Sequence, residues 1–276
     1  MTVPSLTVRG VAVPAILYGT AWKEDETARL VRLALDAGFR AIDTANQRKH
    51  YCEAAVGEAV AGSGIPREEL FLQTKYTYAR GQDHRLPYDP RAGFREQVEQ
   101  SFASSLEHLG TSYLDSYVLH GPETGRGLTA ADREVWAAME ALAKAGKTRL
   151  LGLSNVSFEQ LAAFVKLSSV PIAFVQNRCY ARAGWDHDVR ALCAREGIVY
   201  QGFSLLTAND RELRAPAVRA LARRLGASVP QLVFRFAHAL GMLPLTGTSD
   251  PEHMRQDLGA FSLKLEPADV AALEGG

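Results

Sequence analysis

The chain has 276 residues, and its 31 Lys+Arg balance 31 Asp+Glu to a formal net charge of zero. That length can bury a large core, and the charge balance gives no reason to expect nucleic acid or a membrane surface as partner. Three cysteines without a C-x-x-C pair (Cys52, Cys179, Cys193) argue against a disulfide framework or a zinc site, and no apolar stretch approaches the ~20 residues of a membrane span.

Residues 6–8 and 11–13 predict a hairpin turning at Gly10. Residues 15–18 read as a first buried strand, and 24–37 as a helix ending at Gly38. A strand over 40–42 ends at Asp43, and a helix follows over 53–61. The alternation continues with strands over 70–74, 113–119, 150–153, 172–175 and 198–203. Helices over 91–109, 130–145, 158–167 and 188–196 separate them, and helical patterns over 212–225 and 229–240 come next. A short strand over 242–245 and a helix over 250–258 end the series. The irregular stretch 76–90 follows the third strand of the series and is expected to lie over the active face.

Eight apolar runs, each followed by a helix, predict parallel strands buried on both faces. The expectation is an α/β fold, a (β/α)8 TIM barrel with an N-terminal β-hairpin, as a single domain over residues 1–276. A doubly wound sheet would show G-x-G-x-x-G after an early strand, whereas Gly62-Ser63-Gly64 leads into Ile65-Pro66 and reads as a turn. The N-terminus has no basic region followed by an apolar run, so a cytoplasmic chain without a signal peptide is expected.

Chemistry in such barrels gathers at the C-terminal ends of the strands. There the sequence offers Asp43, Lys75 and His120, with Tyr51 in the loop entering the second helix. Singly, each has an ordinary structural reading: a helix cap, a solvated lysine, a packing tyrosine. Together they make a carbonyl-reducing set. A Tyr hydroxyl can protonate the oxygen left by hydride attack, but its ordinary pKa is about 10, so it needs a nearby cation. Lys75 supplies that charge, Asp43 orients Lys75, and His120 donates a hydrogen bond to the substrate oxygen.

Residues 38–45 (Gly-Phe-Arg-Ala-Ile-Asp-Thr-Ala), 71–75, 106–122, 146–155 and 175–177 resemble the aldo-keto reductase family, in the right order over nearly the whole chain. The resemblance implies a barrel that reduces aldehydes or ketones with NADPH, less often NADH, bound across its mouth. It makes Asp43, Lys75 and His120 three members of a catalytic tetrad. It implies that Ser154, Asn155 and Gln176 hydrogen-bond the nicotinamide carboxamide, that Phe203 stacks on the ring, and that Ser204 with the following loop meets the pyrophosphate. Thr20, Asp43 and Leu206 complete the implied cofactor set.

Three departures stand out. The family motif Asp-Thr-Ala-x-x-Tyr-x-Asn-Glu is stretched here, so counting forward from Asp43 gives Arg48 at the Tyr position and counting back from Glu53 gives His50. Tyr51 is taken as the acid, as the only Tyr in reach, with His50 as its rival. The phosphate-gripping Lys, Ser and Arg become Gly247, Thr248 and His253; Gly247 and Thr248 still offer backbone and hydroxyl donors, and His253 or Arg255 is expected to add charge. The residue after the catalytic His is Gly121 where the family often has Trp. A wider substrate pocket is therefore expected, walled by Trp22, Tyr51, Tyr76, His120 and Trp185.

Two rival readings share the barrel. One is a nicotinamide-binding sensor with little turnover. The other is Schiff-base chemistry at Lys75, disfavoured because Asp43 keeps that amine charged. The seven histidines are scattered, so no metal site is expected. The expected partner is a small carbonyl compound, with a monomer favoured and an oligomer left open.

Overall fold

The computed structural model describes residues 4–275. Ser5–Val8 (β1) and Val11–Pro14 (β2) pair antiparallel. Their turn is Arg9-Gly10, both at positive φ (47° and 82°), as a tight two-residue hairpin requires.

Eight parallel strands then close into a barrel. They are Leu17–Gly19 (β3), Ala41–Asp43 (β4), Phe71–Tyr76 (β5), Leu114–Leu119 (β6), Thr148–Ser154 (β7), Phe174–Arg178 (β8), Val199–Phe203 (β9) and Leu243–Thr246 (β10). Each pairs with the next in sequence, and β10 pairs with β3 through Leu245 opposite Leu17. Val8, Val11 and Val13 of the hairpin pack against Leu17, Phe71, Phe174 and Leu243, so the hairpin plugs one end of the barrel. The covering helices are Thr27–Ala37 (α1), Glu53–Ala61 (α2), Phe94–Leu109 (α3), Ala130–Lys144 (α4), Phe158–Leu167 (α5) and His187–Glu196 (α6). Asp210–Leu213 (α7), Pro216–Arg224 (α8), Val229–Ala239 (α9), Pro251–Gly259 (α10) and Pro267–Glu274 (α11) complete them. Every residue of β5 and β6 is buried, because helices cover one face and the barrel interior the other. No helix among the described residues is long and apolar enough to cross a membrane.

The two faces of each strand can be told apart by what they touch. Ala41, Phe71 and Phe174 pack inside the barrel, while Ile42, Leu72 and Tyr76 pack against the helices. Side chains alternate along a strand. Asp43, Lys75 and Gln176 therefore point inward, and Tyr76 cannot.

Three expectations need correction. The helical pattern over 212–225 breaks into α7 and α8, because Pro216 starts a new helix and holds Ala215 extended at ψ 139°. The helix expected from residue 91 begins at Phe94, after a turn capped by Gly93. The stretch 76–90 borders the mouth and does not cover it: Gln47 Nε2 donates to Gly81 O and Gln82 Nε2 donates to Asn46 O, both at 2.7 Å, and none of its residues lines the cleft there. Tyr78 donates to Asp132 Oδ1 at 2.9 Å and Tyr88 donates to Thr77 O at 2.7 Å, and these buried rings hold it against α3 and α4.

Helices α2 and α3 approach most closely at Gly57. A Cβ there would overlap the carbonyl of His108 and come within 3.0 Å of Leu109 Cα. Both obstacles are backbone, so neither can swing aside. Gly57→Ala is expected to lower the unfolding free energy by about 3 kcal/mol, read from denaturant midpoints.

Candidate active site

At the end of the barrel where the strands finish, the inward side chains open into a cleft of about 750 Å³. It runs from Trp22, His50, Tyr51 and His120 at one end to Thr248, His253 and Asp257 at the other.

Beneath the first end lies a buried ion pair. Lys75 Nζ sits 2.8 Å from both carboxylate oxygens of Asp43 and 2.8 Å from Thr44 O. All three ammonium protons are thus engaged. Asp43 Oδ1 also accepts from Gln73 Nε2 (2.7 Å) and Gln176 Nε2 (3.0 Å), and Gln201 links these two amides. Desolvation pulls the Lys75 ammonium below its ordinary pKa, and the Asp43 carboxylate opposes it. Lys75 is 1% exposed and stands under the cleft, not in its wall. An amine with no free proton position and no access to the cleft gives Schiff-base chemistry no footing.

The loop after β4 decides where the stretched motif puts its side chains. Thr44 N and Asn46 N donate to Gln73 O and Lys75 O, continuing the β4–β5 pairing. Gln47 O then accepts from both His50 N and Tyr51 N, closing a tight turn that takes up the extra residues. Arg48 points away on the exposed crest of that turn. Tyr51 comes back over the barrel, with Lys75 Nζ 5.3 Å from its ring centre and the His120 ring centre 5.9 Å away, edge-on. His50 instead lies against Trp22, ring centres 3.6 Å apart. Desolvation and the Asp43 charge push the Tyr51 phenol above its ordinary pKa. His120 is pushed down to about 3 by desolvation first, and then by the positive charge of Lys75.

The other residues singled out in the sequence divide. Ser154, Asn155, Gln176, Phe203, Ser204, Leu206, Gly247, Thr248 and His253 all line the cleft. Ser154 Oγ, however, donates to Gln176 O at 2.7 Å, and Asn155 Nδ2 donates to His120 O at 2.8 Å. Gln176 spends its Nε2 on Asp43 and Gln201. Both amides therefore leave a side-chain carbonyl as the atom free for a ligand. Thr20 is a correction: it is fully buried, and its hydroxyl donates to Asp43 O at 3.0 Å, behind the wall. Tyr76 is a second, because strand alternation turns it outward, where it stacks on Tyr88 and reaches Gln97. Trp185 is a third: it is buried against Phe236 and donates to Leu273 O at 3.1 Å. Gly121 sits beside Asn155, outside the lining of the cleft.

Some residues were missed. Arg178 lines the cleft with its guanidinium 5.6 Å from the Phe203 ring centre, on the inward phase of β8 two residues beyond Gln176. Lys23 stands at the edge of the cleft, with Nζ on the carbonyl of the lining residue Gly247. Its place in the loop leaving the first barrel strand was the available signal. Gln73 and Gln201 were hidden inside apolar strands, where only their inward phase marks them.

A family model described as "Aldo/keto reductase family" matches residues 15–275. An aldo-keto reductase of Mycolicibacterium vanbaalenii is 34% identical over 264 residues, covering 95% of this chain and 88% of the relative. One of Mycobacterium avium is 31% identical over 275 residues, covering 99% and 90%. Among solved structures, the aldo/keto reductase of Brucella melitensis superposes with a TM-score of 0.84 at 28% identity, covering 99% of each chain. A Bombyx mori aldo-keto reductase in complex with NADP has the same fold, with a TM-score of 0.82 at 23% identity, covering 100% of this chain and 93% of the other.

At the far end of the cleft, Asp257 is buried and accepts from Thr246 Oγ1 at 2.7 Å. Burial raises its carboxyl to about 6, with that hydroxyl opposing. A carboxyl raised in the folded state binds its proton more tightly there than when unfolded. It therefore weakens the fold as pH rises through about 6, and the penalty is gone below the unfolded value of about 4. Asp257→Asn without cofactor is expected to unfold at higher denaturant than wild type at pH 8, and at nearly the same midpoint at pH 4.

Proposed function

Because this chain belongs to the aldo/keto reductase family of oxidoreductases, we propose that it reduces an aldehyde or ketone to an alcohol with NADPH, using Tyr51 as the general acid. The observation that carries this reading is the position of Tyr51. Its ring stands 5.3 Å from the Lys75 ammonium and 5.9 Å from the His120 ring, at the inner end of a cleft long enough for an extended ligand.

The residues present suit that cofactor. Phe203 offers an aromatic face for a flat ring, and Asn155 and Gln176 offer carbonyl oxygens to a carboxamide N–H. Lys23, Thr248 and His253 gather donors at the phosphate end, and the complex of the Bombyx mori relative with NADP supports the assignment. When bound, the nicotinamide supplies a hydride to the carbonyl carbon.

The chain's own residues manage the oxygen. A phenol held above its ordinary pKa stays protonated until a strong base forms beside it, and the developing alkoxide is such a base. The Lys75 charge then favours the phenolate that proton transfer leaves behind. His120 is neutral across the working pH range and serves as a hydrogen-bond donor. His50 is also lowered by desolvation and is packed on Trp22, which disfavours it as the acid.

Tyr51→Phe is expected to lower kcat by about 10²- to 10⁴-fold, with NADPH binding within twofold of wild type. His50→Ala should keep turnover within threefold. Both are read at the nicotinamide absorbance over a panel of aldehydes and ketones. The reverse pattern would move the acid to His50, and tight NADPH binding without turnover across the panel would favour a sensor.

The substrate we propose is a bulky or aromatic carbonyl compound. Trp22, 68% exposed at the rim of the cleft, offers such a group a flat surface. Trp22→Ala is expected to raise KM for aromatic aldehydes about fivefold and to leave short linear aldehydes unchanged. A wild type active only on short linear aldehydes would refute the wide pocket.

A further inference from the structure

The hydroxyl of Thr77 lies 2.7 Å from His120 Nδ1, on the side of the imidazole turned away from the cleft. We infer that Thr77 is a positioning residue that fixes the tautomer of His120, so that Nδ1 accepts and Nε2–H is presented to the substrate oxygen. This deepens the carbonyl-reductase reading and rests on it for the role of His120.

The argument is a count of protons. Thr77 is 6% exposed, and its Oγ1 has one hydrogen-bond partner among the described residues, His120 Nδ1. A hydroxyl carries one proton to donate. If Nδ1 held the ring proton, it would donate to Oγ1, and the threonine proton would be buried without an acceptor. If Nδ1 is bare, the threonine proton goes to it, and both groups are satisfied. The ring proton then sits on Nε2, which has no hydrogen-bond partner among the described residues in a ring that lines the cleft. Desolvation and the Lys75 charge keep the imidazole neutral, so the two tautomers are the only states to choose between.

The threonine is itself held in place. Its carbonyl accepts from Tyr88 OH at 2.7 Å and from Gln82 Nε2 at 3.4 Å. Gly81 leaves the room that the Thr77 methyl occupies, since a Cβ there would come within 2.8 Å of Cγ2. The adjacent Tyr76 O accepts from His120 N at 2.9 Å, which ties the two residues together through the backbone. The 76–90 stretch thus acts on the site from behind. With the opposite tautomer, Nε2 would aim a lone pair at the carbonyl oxygen and oppose binding beside Tyr51.

The test uses the NADPH-bound protein labelled with ¹⁵N-histidine. Wild type should show His120 Nδ1 as a bare, hydrogen-bonded nitrogen and Nε2 as the protonated one. Thr77→Val, which keeps the shape and removes the hydroxyl, should shift His120 toward Nδ1–H and lower kcat about tenfold to a hundredfold. NADPH affinity should stay within twofold, and Thr77→Ser should restore both the spectrum and kcat. Protonated Nδ1 in wild type would overturn the inference, and so would Thr77→Val with unchanged spectrum and kcat. The wild-type spectrum decides even if Thr77→Val does not fold. Full turnover in His120→Ala would instead refute the role of His120 in the proposed reaction and leave the tautomer to the spectrum.

Discussion

Asp43 and Lys75 face each other inside a barrel whose layer below is apolar, built from Leu17, Ala41, Phe71, Phe174 and Leu243. Two charges taken out of water in this way are tolerated only with close geometry and every lone pair and proton engaged. Here the ammonium places three protons on three oxygens at 2.8 Å, and the carboxylate collects further donors from β5 and β8. Much of the mouth follows from that requirement. Gln73 and Gln176 must turn their amide nitrogens toward Asp43, and Gln201 must bridge them. Gln176 is therefore left with a carbonyl oxygen to offer, which suits a ligand amide and not a ligand carbonyl.

The same pair sets the electrostatics above it. Desolvation first, and then the positive charge of Lys75, disfavours imidazolium at His120, so in the proposed reaction it acts as a neutral hydrogen-bond donor. Tyr51 experiences both partners. Burial and the carboxylate keep its proton on, while the ammonium next to its ring would offset the negative charge that the proposed proton transfer leaves. Neither effect needs Lys75 to touch the ligand. The lysine is sealed beneath the cleft, where water cannot screen it.

Barrel strands impose a second constraint, which separates what was legible from what was misread. With Lys75 inward, alternation sends Tyr76 outward into the helix layer, so it could never wall a pocket at the mouth. The same rule, applied along β8 from Gln176, would have found Arg178. Thr77 follows the same inward phase as Gln73 and Lys75, one residue past the end of β5, and its side chain reaches the far edge of His120. Trp185 and Thr20 were misplaced for a related reason. Each lies near the mouth in sequence but on its buried side in space, where Trp185 meets α11 and Thr20 meets the backbone of β4.

The eight-stranded barrel, its N-terminal hairpin and the placement of Asp43, Lys75 and His120 at strand ends were written in local pattern: apolar runs of strand length, helical spacing between them, and polar residues where strands stop. Such features depend on neighbours in sequence, which is why sequence alone determined them. Which of Tyr51 and His50 stands beside Lys75, how the amides are oriented, and which group faces His120 Nδ1 depend on how distant parts of the chain meet. The turn around Gln47 carries Tyr51 to Lys75, and the Thr77 hydroxyl meets His120 from a segment 43 residues earlier. Spacing cannot count the residues a turn absorbs, and a hydrogen-bond partner from another strand has no signature in the local pattern, so only the tertiary structure decided these placements.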